Sequence, residues 1–244
     1  MFEVSNLKVS IEDKEILSGL NLSIKAGEVH ALMGPNGSGK SSFANAIMGH
    51  PLLSTTGSIR LSSVELIDNS VDERARAGLF LAFQNPEEIE GVKVSNFIRK
   101  AIAEHKGPPD MDQMVKNHAE LVENAGKLGM DKSFVGRQIN VGFSGGEKKR
   151  LEVLQIMSLK PKLIILDEID SGMDVDGIKL ITKVLSDLND GTRGFLIITH
   201  QPKILKHIKP DKVHVMANGK IVHSGDESLA IKIEEEGYSS FLAD

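Results

Sequence analysis

Cysteine and tryptophan are absent from this 244-residue chain, and tyrosine occurs once. Without cysteine there are no disulfides, no thiolate zinc sites and no thiolate ligation of an iron–sulfur cluster. One tyrosine, no tryptophan, a net charge of -5 and a pI near 5.9 leave neither a basic stripe nor stacking aromatics, which argues against nucleic acid as a partner. Long apolar runs are missing too. Leu163-Ile164-Ile165-Leu166 and Phe195-Leu196-Ile197-Ile198 are strand-sized, far short of the roughly 20 residues of a membrane helix. Neither an apolar or Arg-rich leader nor a lipidation signal is present, so a cytoplasmic location is expected, with any membrane role left to another subunit. The length suits one domain with an inserted subdomain, or two small domains.

What is present starts with Gly34-Pro35-Asn36-Gly37-Ser38-Gly39-Lys40-Ser41, followed by Ser42. Such a run can be an ordinary glycine-rich turn. Here it follows the apolar strand Val29-His30-Ala31-Leu32-Met33 and precedes an expected helix over Lys40 to Met48, the context a phosphate-binding loop requires. Glycines let backbone N–H groups approach phosphate, Lys40 would reach the β- and γ-phosphates, and the Ser41 hydroxyl would ligate Mg²⁺. The helix N-terminus adds positive potential.

The rest of the chain alternates strand and helix signals, which implies a parallel sheet covered on both faces. Residues 1–33 read as short strands separated by turns such as Lys25-Ala26-Gly27-Glu28. From about Gln84 to Lys149 the texture turns helical: one helix opens at Val94, Gly107-Pro108-Pro109 breaks it, and Met111 to Leu128 carries the next. A further helix runs from Ser144-Gly145-Gly146 to about Ser158, and Asn218-Gly219 marks a hairpin. The expected organisation is a nucleotide-binding α/β core from 1–84 and 150–244, with a helical subdomain at about 85–149.

The strand at Leu163 to Leu166 ends in Asp167-Glu168, placing two carboxylates at the carboxyl edge of the sheet. Asp167 would join the Mg²⁺ shell and Glu168 would orient, or take a proton from, the attacking water. His200 ends another strand at that edge, where it would hydrogen-bond the γ-phosphate and the water. Gln84, at the passage from core to helical insert, would ligate Mg²⁺ and sense the γ-phosphate. Taken singly, a solvated acidic turn, a structural histidine and a loop glutamine are the plain alternatives.

In this order and setting the phosphate loop, Gln84, Phe143-Ser144-Gly145-Gly146-Glu147, Asp167-Glu168 and His200 resemble the ABC ATPase family over essentially the whole chain. The resemblance implies ATP and Mg²⁺ as ligands and a head-to-tail pairing with a second copy. Ser144, Gly145 and Gly146 of one copy would then face the γ-phosphate held by the other, with Asp174 at the interface. The aromatic on which the family often stacks adenine has no counterpart near Ile11, so ATP over GTP rests on likeness. Transport members commonly place Pro-Thr or Pro-Ser after the glutamate. This chain has Ile169-Asp170-Ser171-Gly172-Met173-Asp174, which looks like the SufC branch, as do residues 73–86, Glu88-Ile89-Glu90-Gly91-Val92 and the closing Glu234-Glu235-Glu236-Gly237-Tyr238. That branch supplies the soluble ATPase of SUF iron–sulfur cluster assembly and works with SufB- and SufD-like scaffold subunits. The rivals are a coupling subunit of an ABC membrane transporter and a nucleotide-dependent binding module with negligible hydrolysis. Presence of Lys40, Ser41, Asp167, Glu168 and His200 together speaks against the latter.

Overall fold

A computed structural model describes residues 1–241. Its elements begin with β1 (Phe2–Ile11), β2 (Lys14–Ile24), β3 (Val29–Met33), α1 (Lys40–Met48), β4 (Ser54–Leu61), β5 (Val64–Glu65), α2 (Val71–Ala77) and β6 (Leu79–Ala82). Next come β7 (Ile89–Lys93), α3 (Val94–Lys106), α4 (Met111–Lys127), β8 (Gln138–Ile139) and α5 (Gly145–Leu159). The chain continues through β9 (Leu163–Asp167), α6 (Val175–Leu188), β10 (Gly194–Ile198), β11 (Lys212–Ala217), β12 (Lys220–Gly225) and α7 (Glu227–Glu236). These form two compact units: residues 1–81, 162–169 and 189 onward make the first, and 82–161 with 170–188 make the second.

The first unit carries a six-stranded sheet in the order β12-β11-β3-β10-β9-β6. Strands β11, β3, β10 and β9 run parallel, and β12 returns antiparallel on β11. Every residue of β3, β9 and β10 is buried, as strands covered on both faces require, and this explains their unbroken apolar sequence. The β11–β12 hairpin turns at Asn218 and Gly219, with φ values of +47° and +73° that suit the Asn-Gly pair. A second sheet, β2-β1-β4-β5, is antiparallel; Phe2, Val4, Leu7 and Val9 of β1 all point into the core. The fold is therefore a P-loop NTPase-type α/β architecture with a largely parallel core and an antiparallel N-terminal segment, as expected.

The second unit is built on α3, α4, α5 and α6. Gly107-Pro108-Pro109 separates α3 from α4, and Ser144 and Glu147 form a reciprocal capping box that starts α5. This unit is larger than the expected 85–149 insert. Helix α5 runs unbroken through residue 149, and α6 packs on it, so 150–161 and 170–188 fall in the same unit. A short ribbon pairs β7, ahead of α3, with β8, ahead of α5, so that Ile89 faces Ile139; its mostly exposed residues carry no alternation a sequence pattern would reveal.

Strands β3 and β11 are joined by a buried histidine pair. His214 Nε2 lies 3.0 Å from His30 Nδ1, while His214 Nδ1 sits 2.8 Å from Ser224 Oγ and His30 Nε2 3.1 Å from Glu28 Oε2. Burial, helped by His30 and Lys212, pushes the His214 imidazole from 6.5 down to about 4. Between those values the unfolded chain binds a proton that the folded chain refuses, so stability falls as pH drops from 6.5 toward about 4. The loss attributable to this group is roughly 3 kcal/mol. Replacing His214 with Gln should flatten that decline, which thermal denaturation across the same pH window will show.

Candidate functional site

Three strand ends of the first unit open at one edge of its sheet. Leu32, Ile198 and Asp167 lie level across β3, β10 and β9, so the chain after each emerges at the same carboxyl edge, where open α/β sheets take ligands. Residues 34–39 lead from β3 into α1. Gly39 holds the N-cap in a left-handed conformation with no side-chain cap, leaving the first-turn N–H groups of α1 for an outside acceptor. The loop is fixed from beside by the hairpin. A Cβ at Gly34 would collide with the Met216 carbonyl oxygen, and one at Gly219 with that of Ile16. The Gly219 N–H also donates to the Ser38 carbonyl over 3.0 Å.

Lys40 is buried, and its ammonium donates to the carbonyls of Gly34 at 2.8 Å and Pro35 at 3.0 Å. Burial holds its pKa below the usual value, while the nearby carboxylates of Glu168 and Asp167 pull it upward. The Ser38 hydroxyl is buried without a hydrogen-bond partner. Asn36, Gly37 and Ser41 are exposed around the loop, with Pro35 and Ser42 half-buried. Backbone donors around a central ammonium suit a polyphosphate.

Asp167 closes β9 and is buried. The next residue, Glu168, takes a φ of +47° and is held by its N–H donating to the Ile198 carbonyl over 2.9 Å. Its Oε1 lies 2.9 Å from His200 Nδ1. Ile169, itself buried, permits this backbone, because a proline there would push Glu168 toward an extended conformation. The sequence paired His200 with phosphate and water; the structure adds that its imidazole meets the glutamate. Among the described residues no group of three or more His, Cys, Asp or Glu side chains could cage a metal. Mg²⁺ needs none, since one carboxylate and a hydroxyl complete its hard-oxygen shell together with nucleotide phosphates and water, and Asp167 and Ser41 are donors of that kind. Ile11 is aliphatic and exposed.

The second unit holds the other expected residues. Ser144 caps α5 by accepting from the Glu147 N–H over 3.2 Å, and Gly145 lies beside the Gly172 carbonyl, where a Cβ would sit 3.6 Å away; Gly146 has open space around it. Asp174 is exposed and accepts from the Gly177 N–H over 2.7 Å at the start of α6. Gln84 is exposed, and its carbonyl accepts from the Lys149 ammonium over 2.7 Å. Sequence reasoning assigned no part to three residues that organise this unit. Lys149 also reaches the Phe83 carbonyl at 2.8 Å, and buried Glu152 accepts from the Phe83 N–H at 3.2 Å, so α5 grips the segment leading into Gln84. Arg137 pairs with Glu147 at 2.6 Å and lies 4.2 Å from the centre of the Phe143 ring, bracing the start of α5. Only the Lys148-Lys149-Arg150 run after Glu147 hinted at any of this.

Residues 17–171 match the family model described as ABC transporter. The chain belongs to that family and is one of its ATPase domains. Across 245 residues it is 48% identical to a probable ABC transporter ATP-binding protein of Streptococcus pyogenes serotype M18, covering 100% of this chain and 96% of that one. It is 49% identical to vegetative protein 296 of Bacillus subtilis strain 168 (96% and 90% covered). Iron-sulfur cluster assembly protein SufC of Plasmodium falciparum is 45% identical, with 99% of this chain and 71% of the relative covered. The fold resembles that of a dimeric bacterial ABC transporter cassette, with a TM-score of 0.79 at 20% identity, covering 93% of this chain and 99% of the other. No described helix is long and apolar enough to cross a membrane.

Replacing Gly34 with Ala should weaken ATP binding at least about tenfold, because the loop must shift off the Met216 carbonyl. Titration with a fluorescent ATP analogue measures this directly.

Proposed function

We propose that this chain is the cytoplasmic, Mg²⁺-dependent ATPase of a SUF-type iron–sulfur cluster assembly complex, driving conformational change in SufB/SufD-like scaffold subunits through ATP-dependent pairing of two copies. The observation that carries the reading is the departure after Glu168, where buried Ile169 and the run to Asp174 replace the proline of transport members. Likeness to the Plasmodium SufC along nearly the whole chain supports it. The absence of cysteine fits a subunit that supplies energy and leaves the cluster to its partners. Relatives of similar identity named as ABC transporter ATP-binding proteins favour the second reading, coupling to a membrane permease.

In the proposed cycle residues 34–42 and the Lys40 ammonium hold the ATP phosphates. Ser41 and Asp167, with Gln84 joining them, would hold Mg²⁺, which would supply neutralisation of the phosphate charge. Glu168 orients water and takes its proton as the water oxygen bonds to phosphorus and the γ-phosphoryl group parts from ADP. His200 holds Glu168 in place and faces the γ-phosphate. Ser144, Gly145 and Gly146 of the opposing copy, with Asp174 beside them, complete the enclosure only when two copies close. Scaffold subunits dock at Gln84 to Val92, where Phe83 and Ile89 are exposed beside the segment that α5 grips. Closing at α5 is thereby felt at the docking surface, a two-state change biased by contacts ATP makes only in the closed pair.

Glu168→Gln should retain ATP binding, lose turnover by about 100-fold or more, and accumulate as an ATP-bound dimer on size exclusion. Normal turnover would refute the role given to Glu168. Anaerobic affinity purification with mass spectrometry tests the biological assignment. Soluble scaffold subunits carrying iron and sulfide are expected, and Ile89→Asp should lose them while still binding ATP. Recovery of an integral membrane permease would replace this reading with transport.

A further inference from the structure

The chain's single tyrosine stands at the nucleotide edge of the first unit. Tyr238 follows Gly237, the residue that ends α7, and its hydroxyl donates to the His200 carbonyl over 3.3 Å. The main chain of Gly34, first glycine of the phosphate loop, lies close enough to the same phenol to draw its pKa down against the effect of burial. Burial raises the phenol's pKa above its ordinary value of 10.0, so it stays a neutral donor at physiological pH. Two contacts fasten the surrounding segment: Glu234 of α7 pairs with Lys206 at 2.8 Å, and the Phe241 ring lies 5.6 Å from that of His223 on β12. The attachment at residue 200 matters because the His200 imidazole must stay 2.9 Å from Glu168.

We propose that Tyr238 is a positioning residue for ATP hydrolysis: its hydroxyl ties the His200 main chain to the segment after α7, beside the first glycine of the phosphate loop, so that this segment keeps the His200–Glu168 pair in register with the γ-phosphate. This rests on the ATPase reading above. Small displacements of a catalytic pair cost far more in rate than in binding. The phenol therefore acts through His200 and touches no reacting atom.

Tyr238→Phe keeps the ring and removes only the hydroxyl. Turnover should fall about five- to twentyfold with ATP affinity within about twofold of the parent and the melting temperature nearly unchanged. Because the effect runs through His200, Tyr238→Phe should add little in a His200→Gln background. Unchanged turnover, a parallel loss of ATP affinity and melting temperature, or additive losses in the double variant would each overturn the proposal. With no tryptophan and one tyrosine, intrinsic emission reports Tyr238 alone, and it should change when Mg²⁺ and ATP are added to Glu168→Gln protein. A chain that binds ATP without turnover would end the ATPase reading, yet the emission still decides: a nucleotide response supports the tether and none removes it.

Discussion

The complete burial of β3 is the constraint on which the nucleotide site depends. Five consecutive residues sealed between β10 and β11 cannot slide or tilt without exposing apolar surface, so the point at which Gly34 leaves the sheet is fixed. The chain after it has little freedom. Gly34 is hemmed by the Met216 carbonyl and Ser38 is hydrogen-bonded to the hairpin turn, while α1 begins where the loop ends. A backbone anion site needs this rigidity, because its donors are N–H groups whose direction only the main chain sets.

Around that fixed loop the charges are held in balance. Lys40 is buried, which disfavours its ammonium, and the carboxylates of Asp167 and Glu168 oppose that penalty. Glu168 in turn is aimed by an uncommon left-handed backbone and by His200. Such a conformation costs free energy and persists where the surroundings over-determine it, as the Ile198 carbonyl and buried Ile169 do here. The residue after the glutamate thus links a family distinction visible in sequence to the geometry of the group proposed to orient the attacking water.

Within the second unit the same economy appears in polar form. The start of α5 is held by its capping box and by Arg137 against Phe143 and Glu147, and the middle of the helix holds Phe83 and Gln84 through Lys149 and Glu152. One helix therefore carries both the Ser144-Gly145-Gly146 turn and the anchor for the proposed docking segment, which would give the proposed coupling a continuous covalent path.

The phosphate loop, the strand before it, the helix after it and the paired carboxylates were legible in the sequence because each rests on local rules: glycine where backbone must approach an anion, an unbroken apolar run where a strand is buried on both faces, and acidic residues closing such a run at the carboxyl edge of the sheet. The breaks at Gly107-Pro108-Pro109 and Asn218-Gly219 were legible for the same reason. What the sequence by itself determined was the chemistry available and the family it serves. Tertiary structure alone decided which groups meet: His200 with Glu168, Lys149 with a carbonyl 65 residues away, His30 with His214 across two strands. Those pairings depend on strand order and on the faces helices bury, and no spacing along the chain encodes either.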